Sequence, residues 1–461
     1  MSGASAIDRA QAEREQWIAL SVYGLAVVLV ILLAVNGQGM LQSPARLDIE
    51  LRGDELGPWG MGRAGVTPFC YRPLFRWIVL GAWMALPAED PFTAFYGVFV
   101  AASALSLLAA AGALHALLLA LAFSPRQALA GGLLFLSGFP VLFAHDIPIQ
   151  TREDFLGYAC IALGLLAVIK ERRWAVLALA ALAPWIRETT LLFVLPVWFV
   201  WPRPARERLA PYAVGALSLV LVRVVQGSGE SGGYLWDLVV ASTGPARRWP
   251  GEALLYLFAS FGAVWVAAGL RLLQGPPWRH PLLSPRIVGL ALLAVAVTGW
   301  TMGMIRENRI TYVLAPLLVP LALELLASER LRRIARARAA WGAASGVLAL
   351  GAVGFALLRA DSDRVDLVRP AIGECFHLGV APQVELIDEE EEVVTIDLVW
   401  SLSHEAAEEG PDASLGPDDQ LHASPLQGPH VLLHLAASAF LLAGWIATRG
   451  AGTPVEERAR G

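Results

Sequence analysis

Charge is scarce in this chain: Asp, Glu, Lys and Arg make up 16% of 461 residues, and hydrophobic residues make up 56%. An ordinary soluble domain is roughly 25% charged, so the deficit excludes a water-soluble globule. Cysteine is nearly absent as well. Cys70, Cys160 and Cys375 are too few for a disulfide framework, and none stands at a metal-ligand spacing. Alternating polarity is missing from the apolar runs. ALSVYGLAVVLVILLAV is apolar on every face, which excludes a β-barrel, since a barrel strand needs period two. No long internal repeat is evident, which argues against a transporter built from inverted halves.

Long apolar stretches are plentiful instead. Crossing a hydrocarbon core of about 30 Å takes about 20 helical residues, and runs approaching that length recur from Trp17 almost to the C-terminus. The expected fold is an all-α polytopic bundle. Its spans are expected near 17–35, 92–122, 128–144, 154–169, 210–226, 252–271, 287–304, 310–328, 340–358 and 429–447. The polar opening MSGASAIDRAQAEREQ has no small-residue cleavage site after it, so the first span reads as a retained signal anchor.

The net charge of −5 hides an asymmetry. Seventeen of the forty acidic residues lie between Asp361 and Asp419, where the only basic residues besides histidine are Arg364 and Arg369. Short basic clusters mark the cytoplasmic side: Lys170 to Arg173, Arg203 to Arg208, Arg279 to Arg286 and Arg330 to Arg338. Keeping all four inside makes residues 73–87 an interfacial helix, too short to cross. It also makes 175–201 a hairpin of two half-length helices, broken at Pro184, with Trp185 to Thr189 at its tip. Backbone breaks at membrane depth occur where they line a cavity. Domain organisation follows: a bundle over 1–358 with a first outer loop 36–91, an acidic extracytoplasmic segment 359–428, and a final span with a cytoplasmic tail over 429–461. The N-terminus is then cytoplasmic. VVTIDLVW within the acidic segment has strand-like alternation and is expected to form a small lid.

The chemistry-bearing residues fall on the outer side in this arrangement. The first loop carries Asp48, Asp54, Glu55 and Arg72; later segments carry Asp154, the Arg187-Glu188 pair, Glu307 and Arg309. An ionisable group at membrane depth costs roughly 2.5 to 3.5 kcal/mol or more, so Arg187 and Glu188 are expected to be paired, functional or both. Asp154 reads equally as a helix cap, and Arg72 as a headgroup anchor. His145-Asp146 lacks a third ligand at useful spacing. No metal site is therefore assigned, although a divalent cation stays an option.

Asp54-Glu55 resembles the acidic pair found in the first outer loop of several GT-C membrane glycosyltransferases. Pro68-Phe69-Cys70-Tyr71-Arg72-Pro73-Leu74 is similar to a PF-x-YRPL signature of a bacterial branch of that superfamily. Asp154 in TREDF, Arg187-Glu188-Thr189, and Glu307-Asn308-Arg309 before ITYVLAPLLVP follow in the branch's order. The sequence departs from the pattern at GDELGPWGMG, where an aromatic is expected nearer the acid, and the acidic segment has no counterpart.

The resemblance implies a sugar donor linked to a polyprenyl phosphate and a lipid, glycan or protein acceptor. It also implies inversion by direct displacement, in a bacterial inner membrane. Membrane lipids are the surroundings, and no nucleic-acid partner is expected. Such a transfer needs a carboxylate to take a proton, for which Asp54 is the candidate and Asp48 the substitute, with Glu55 beside it. It also needs cations to hold the leaving phosphate, and guanidinium groups match its oxygens: Arg72, Arg187 and Arg309, with Asp154, Glu188 and Glu307 in support. The rival classes are a lipid or glycan transporter or flippase, and a scaffold whose acidic segment binds a partner.

Overall fold

A computed structural model describes residues 6–36, 73–86, 91–142, 152–201, 204–226, 260–301 and 311–328, with a few further positions between 342 and 347 and at 442 and 444. Among the described residues the regular structure is helical. The helices are α1 (Ala6–Asn36), α2 (Pro73–Met84), α3 (Pro91–Ala120), α4 (Pro125–Leu136), α5 (Phe139–Leu142), α6 (Arg152–Ile169), α7 (Arg173–Ile186) and α8 (Thr189–Val200). They continue with α9 (Ala205–Gln226), α10 (Ala263–Leu273), a 3-10 turn at Pro281–Leu283, α11 (Pro285–Thr301) and α12 (Ala315–Leu326). Helices α1, α3 and α9 are long and apolar enough to cross a membrane, over Glu13–Ile31, Gly97–Ala120 and Ala205–Val225.

Those three spans have at most a third of their residues buried in protein. Leu25, Val28 and Leu29 on α1 and Leu217, Val220 and Val224 on α9 are exposed. Apolar faces of this extent are rare on soluble monomers. Helix α12 is the opposite case: every residue from Ala315 to Leu326 is buried, as expected for a helix that is apolar all round.

Several boundaries differ from the sequence expectation, each for a local reason. Helix α1 begins about one span-half earlier than Trp17, because the polar opening residues continue the helix rather than precede it. The expected span 128–144 begins at Pro125, where Ser124 and Gln127 form a capping box. It is interrupted after Leu136, where the Ser137 hydroxyl donates to the Leu134 carbonyl and Gly138 makes room for the Tyr312 ring. In the expected span 252–271 the described helix runs from Ala263 to Leu273.

The hairpin is present, with its break moved. Pro184 lies inside the last turn of α7, and the Arg187 N–H still donates to the Ala183 carbonyl. The chain leaves the helix at Arg187, which is extended, and re-enters at Thr189. At about 1.5 Å per residue, α7 and α8 are roughly 21 and 18 Å long, each short of a full crossing. They do return to their starting level: Arg173, opening α7, lies 3.8 Å from Glu207 of α9, and the Trp198 indole near the end of α8 donates to the Glu207 carbonyl.

Alongside the hairpin, α6 and α8 run parallel. Gly157 of α6 faces the Arg187 side chain, and Gly164, two turns on, faces Val194, two turns beyond Arg187. A Cβ at Gly164 would stand 2.7 Å from a Val194 methyl, so glycine is what allows this approach.

Candidate functional site

Two motifs distant in sequence meet at the turn of the hairpin. Asp154, in the first turn of α6, and Arg187, at the end of α7, form an ion pair through Oδ1 and Nη1. Their side chains are 1% and 2% exposed. Taking both charges out of water is costly, and the pair is retained only where the contact and further hydrogen bonds offset that cost. Glu188 is half-buried at the same turn.

Helix α2 packs against this end of the bundle. Its Phe75 and Val79 form a small buried cluster with Leu156, two residues from Asp154. Its Trp77 ring packs 5.4 Å from that of Trp185. The Trp185 indole N–H in turn donates to the Ser218 hydroxyl of α9, and that hydroxyl donates to the Ala181 carbonyl. An aromatic cluster borders the other side: Tyr158, one turn along α6 from Asp154, sits edge-on to Tyr312 at 5.5 Å, and Phe135 and Phe261 stack on Tyr312. The Tyr312 hydroxyl donates to the Phe135 carbonyl.

Of the residues singled out from sequence, the structure thus brings Asp154 and Arg187 together, with Glu188 adjacent. Asp48, Asp54, Glu55, Arg72, Glu307 and Arg309 lie outside the described residues. So do His145-Asp146, Cys70, Cys375 and the segment 359–428 with its expected strand. Cys160 is buried in α6. Among the described residues no three His, Cys, Asp or Glu side chains converge as a metal site would require.

Sequence reasoning missed a second buried pair, at the opposite end of the bundle. Arg271 of α10 donates from Nε to Glu324 of α12 at 2.6 Å, and its other nitrogens donate to the Gly275 and Pro277 carbonyls. The Arg279 backbone N–H donates to the other Glu324 oxygen, while its guanidinium donates to the Ala122 carbonyl and stands over the Phe123 ring. This pair is well supplied with partners and fastens the loop 275–284 to α10 and α12, while Arg279 ties the same loop to the connection between α3 and α4. A single glutamate inside APLLVPLALELL was the available sign of it. Also missed was Tyr23, whose hydroxyl lies 2.8 Å from Nδ1 of His115 and donates to the Ala128 carbonyl.

His280 belongs to that same loop. Its ring stacks on Trp201, and Nδ1 accepts from the Leu282 N–H. Burial holds its pKa below the usual imidazole value.

Comparison with protein-family models, with curated proteins and with solved structures finds no match.

Proposed function

We propose that this chain is a membrane glycosyltransferase of GT-C architecture, with about ten spans and one re-entrant hairpin. It moves a sugar from a polyprenyl-phosphate carrier to a lipid, glycan or protein acceptor. The basic clusters at Lys170 to Arg173 and Arg203 to Arg208 flank the open end of the hairpin, so the positive-inside rule puts that end in the cytoplasm. The Arg187–Asp154 end then faces the outside of a bacterial inner membrane, with the N-terminus cytoplasmic.

The observation that carries the reading is the buried contact of Arg187 with Asp154. It joins two of the motifs read from the sequence, TREDF and Arg187-Glu188-Thr189, and fixes a guanidinium at a broken backbone. Two further arginines stand close in sequence to segments that pack around this pair. Arg72 directly precedes α2, which packs against Trp185 and Leu156. Arg309 precedes Tyr312 by three residues in the sequence, and Tyr312 packs on Tyr158.

In the proposed reaction the acceptor hydroxyl oxygen attacks the anomeric carbon opposite the phosphate, forming the new glycosidic bond. The anomeric carbon to phosphate-oxygen bond breaks, and its electron pair leaves on the phosphate. Asp54 takes the hydroxyl proton, with Asp48 as its substitute and Glu55 adjacent. Arg72, Arg187 and Arg309 stabilise the charge that gathers on the leaving phosphate. Asp154 orients Arg187, and Glu188 and Glu307 hold the remaining cations.

The transporter reading has one observation of its own in favour: half-helices broken at depth are how many transporters meet anionic substrates. Purified protein given a polyprenyl-phosphate sugar and cell-envelope acceptors separates the two. A transferase releases free polyprenyl phosphate. A transporter in proteoliposomes moves the intact glycolipid across the bilayer without releasing it.

A further inference from the structure

Two hydroxyls beside Arg187 are left over by the packing described above. Thr189 and Thr190 open α8, Thr190 is 1% exposed, and neither hydroxyl has a hydrogen-bond partner. A buried helical threonine usually bonds back to the carbonyl four residues earlier. That outlet is lost here because the backbone is extended at Arg187. An uncompensated buried hydroxyl is costly, and two in succession mark a position built for something else.

The direction in which they face is set by the helix. Cα–Cβ bonds lean toward a helix N-terminus, so first-turn hydroxyls lean toward its positive end. The N-cap residue, Glu188, forms no side-chain cap hydrogen bond to the first turn. The Thr190 and Leu191 N–H groups already close onto the Arg187 and Glu188 carbonyls, while the two hydroxyls remain without a partner. Charge selects the ligand class. Arg187 and Asp154 offset one another, while the N-terminus of α8 carries partial positive charge. Acceptor-only oxygens carrying negative charge complement hydroxyl donors in that field.

We infer that the first turn of α8, through the Thr189 and Thr190 hydroxyls beside Arg187, is a subsite for a phosphate-type oxyanion. The inference rests on the glycosyltransferase reading in one respect only, that the phosphate belongs to the polyprenyl carrier.

The test uses the full chain in phosphatidylcholine nanodiscs, titrated with undecaprenyl phosphate, with undecaprenol and with inorganic phosphate, and read by tryptophan fluorescence. The variants are Thr189→Val with Thr190→Val, which removes both hydroxyls with little change of shape, and Thr189→Ser with Thr190→Ser, which keeps them. The valine variant is expected to bind undecaprenyl phosphate roughly tenfold more weakly, with undecaprenol binding unchanged and the serine variant close to the parent. Its unfolding temperature without ligand should not fall, because an unpaired polar group has been removed. The inference is overturned if the valine variant binds undecaprenyl phosphate like the parent, if it loses both lipids equally, or if its unfolding temperature drops and serine restores it. If the parent itself binds undecaprenyl phosphate and undecaprenol alike, the glycosyltransferase reading loses its donor and the inorganic phosphate arm decides the subsite. Phosphate binding that the valine variant lacks upholds the subsite with a free anion as its ligand, and no phosphate binding removes it.

Discussion

Arg187 and Asp154 depend on each other because neither has enough water around it to stand alone. Replacing one partner leaves the other as a charge in a low-dielectric setting, whereas replacing both removes the problem. Arg187→Ala and Asp154→Ala are therefore each expected to destabilise the protein by about 3 kcal/mol or more. The double variant should be less destabilised than their sum by about 0.5 to 3 kcal/mol. Denaturation of the four proteins in one detergent measures this, and strict additivity would mean that the contact has no energetic coupling.

His280 gives a pH dependence at the other end of the molecule. Its folded pKa lies below the ordinary value of about 6.5, so the unfolded chain binds the extra proton first as pH falls. Stability from the neutral ring is fully present above about pH 6.5 and is lost as pH drops through the folded pKa. Protonation also removes the acceptor that Nδ1 offers the Leu282 N–H. The thermal unfolding temperature of the parent should thus fall more than that of His280→Asn between pH 7.5 and 5.5, and equal falls would remove His280 from the account.

Among the elements, the seam between α6 and α8 sets the position of Arg187. Gly164→Ala puts a Cβ against the Val194 methyls at 2.7 and 3.0 Å, and Val194 is stiff because it is branched at Cβ. The helices must part, at an expected cost of about 1 to 3 kcal/mol. Val194→Ala in the same chain should recover most of it, and failure to do so would mean that the two helices are not in contact there.

This seam also shows how far the sequence could be read. Hydropathy and the basic clusters were enough to expect a hairpin over 175–201, because those signals act over tens of residues. They placed the tip at Trp185 to Thr189, which does hold the break, but the break follows from one backbone conformation at Arg187 rather than from Pro184, the more conspicuous residue. The meeting of Arg187 with Asp154 was legible only as a shared side of the membrane. Its contact depends on Gly164 letting α6 and α8 approach, and glycine in an apolar run gives no periodic signal. Glu324 and Arg271 were overlooked for a related reason: each stands alone in its segment, and only the fold brings them into one pair.

For the whole molecule, the proposed topology divides the basic clusters from the acidic loops. Reporter fusions at Arg206 and Arg333 should report cytoplasm, and fusions at Asp54 and Glu390 the outside. Arg206 and Glu390 on one side would remove both the proposed orientation of the hairpin and the proposed convergence of Arg72, Arg187 and Arg309. With the orientation in hand, the central claim is chemical, and it concerns whether a carboxylate in the first loop takes a proton during sugar transfer.

The measurement that bears on it most directly is the release of polyprenyl phosphate from a polyprenyl-phosphate sugar by the purified parent protein, by Asp54→Asn and by Asp48→Asn. The amide keeps the size of the acid and removes its basicity, so the loss should fall on turnover, by about a hundredfold or more, rather than on donor affinity. The account predicts turnover by the parent and its loss in Asp54→Asn, with the variant still inserted and binding donor. Loss in Asp48→Asn alone would move the base to the substitute carboxylate within the same mechanism, whereas full turnover by both variants, or none by the parent, would contradict the claim that this chain is a glycosyltransferase working through a first-loop acid.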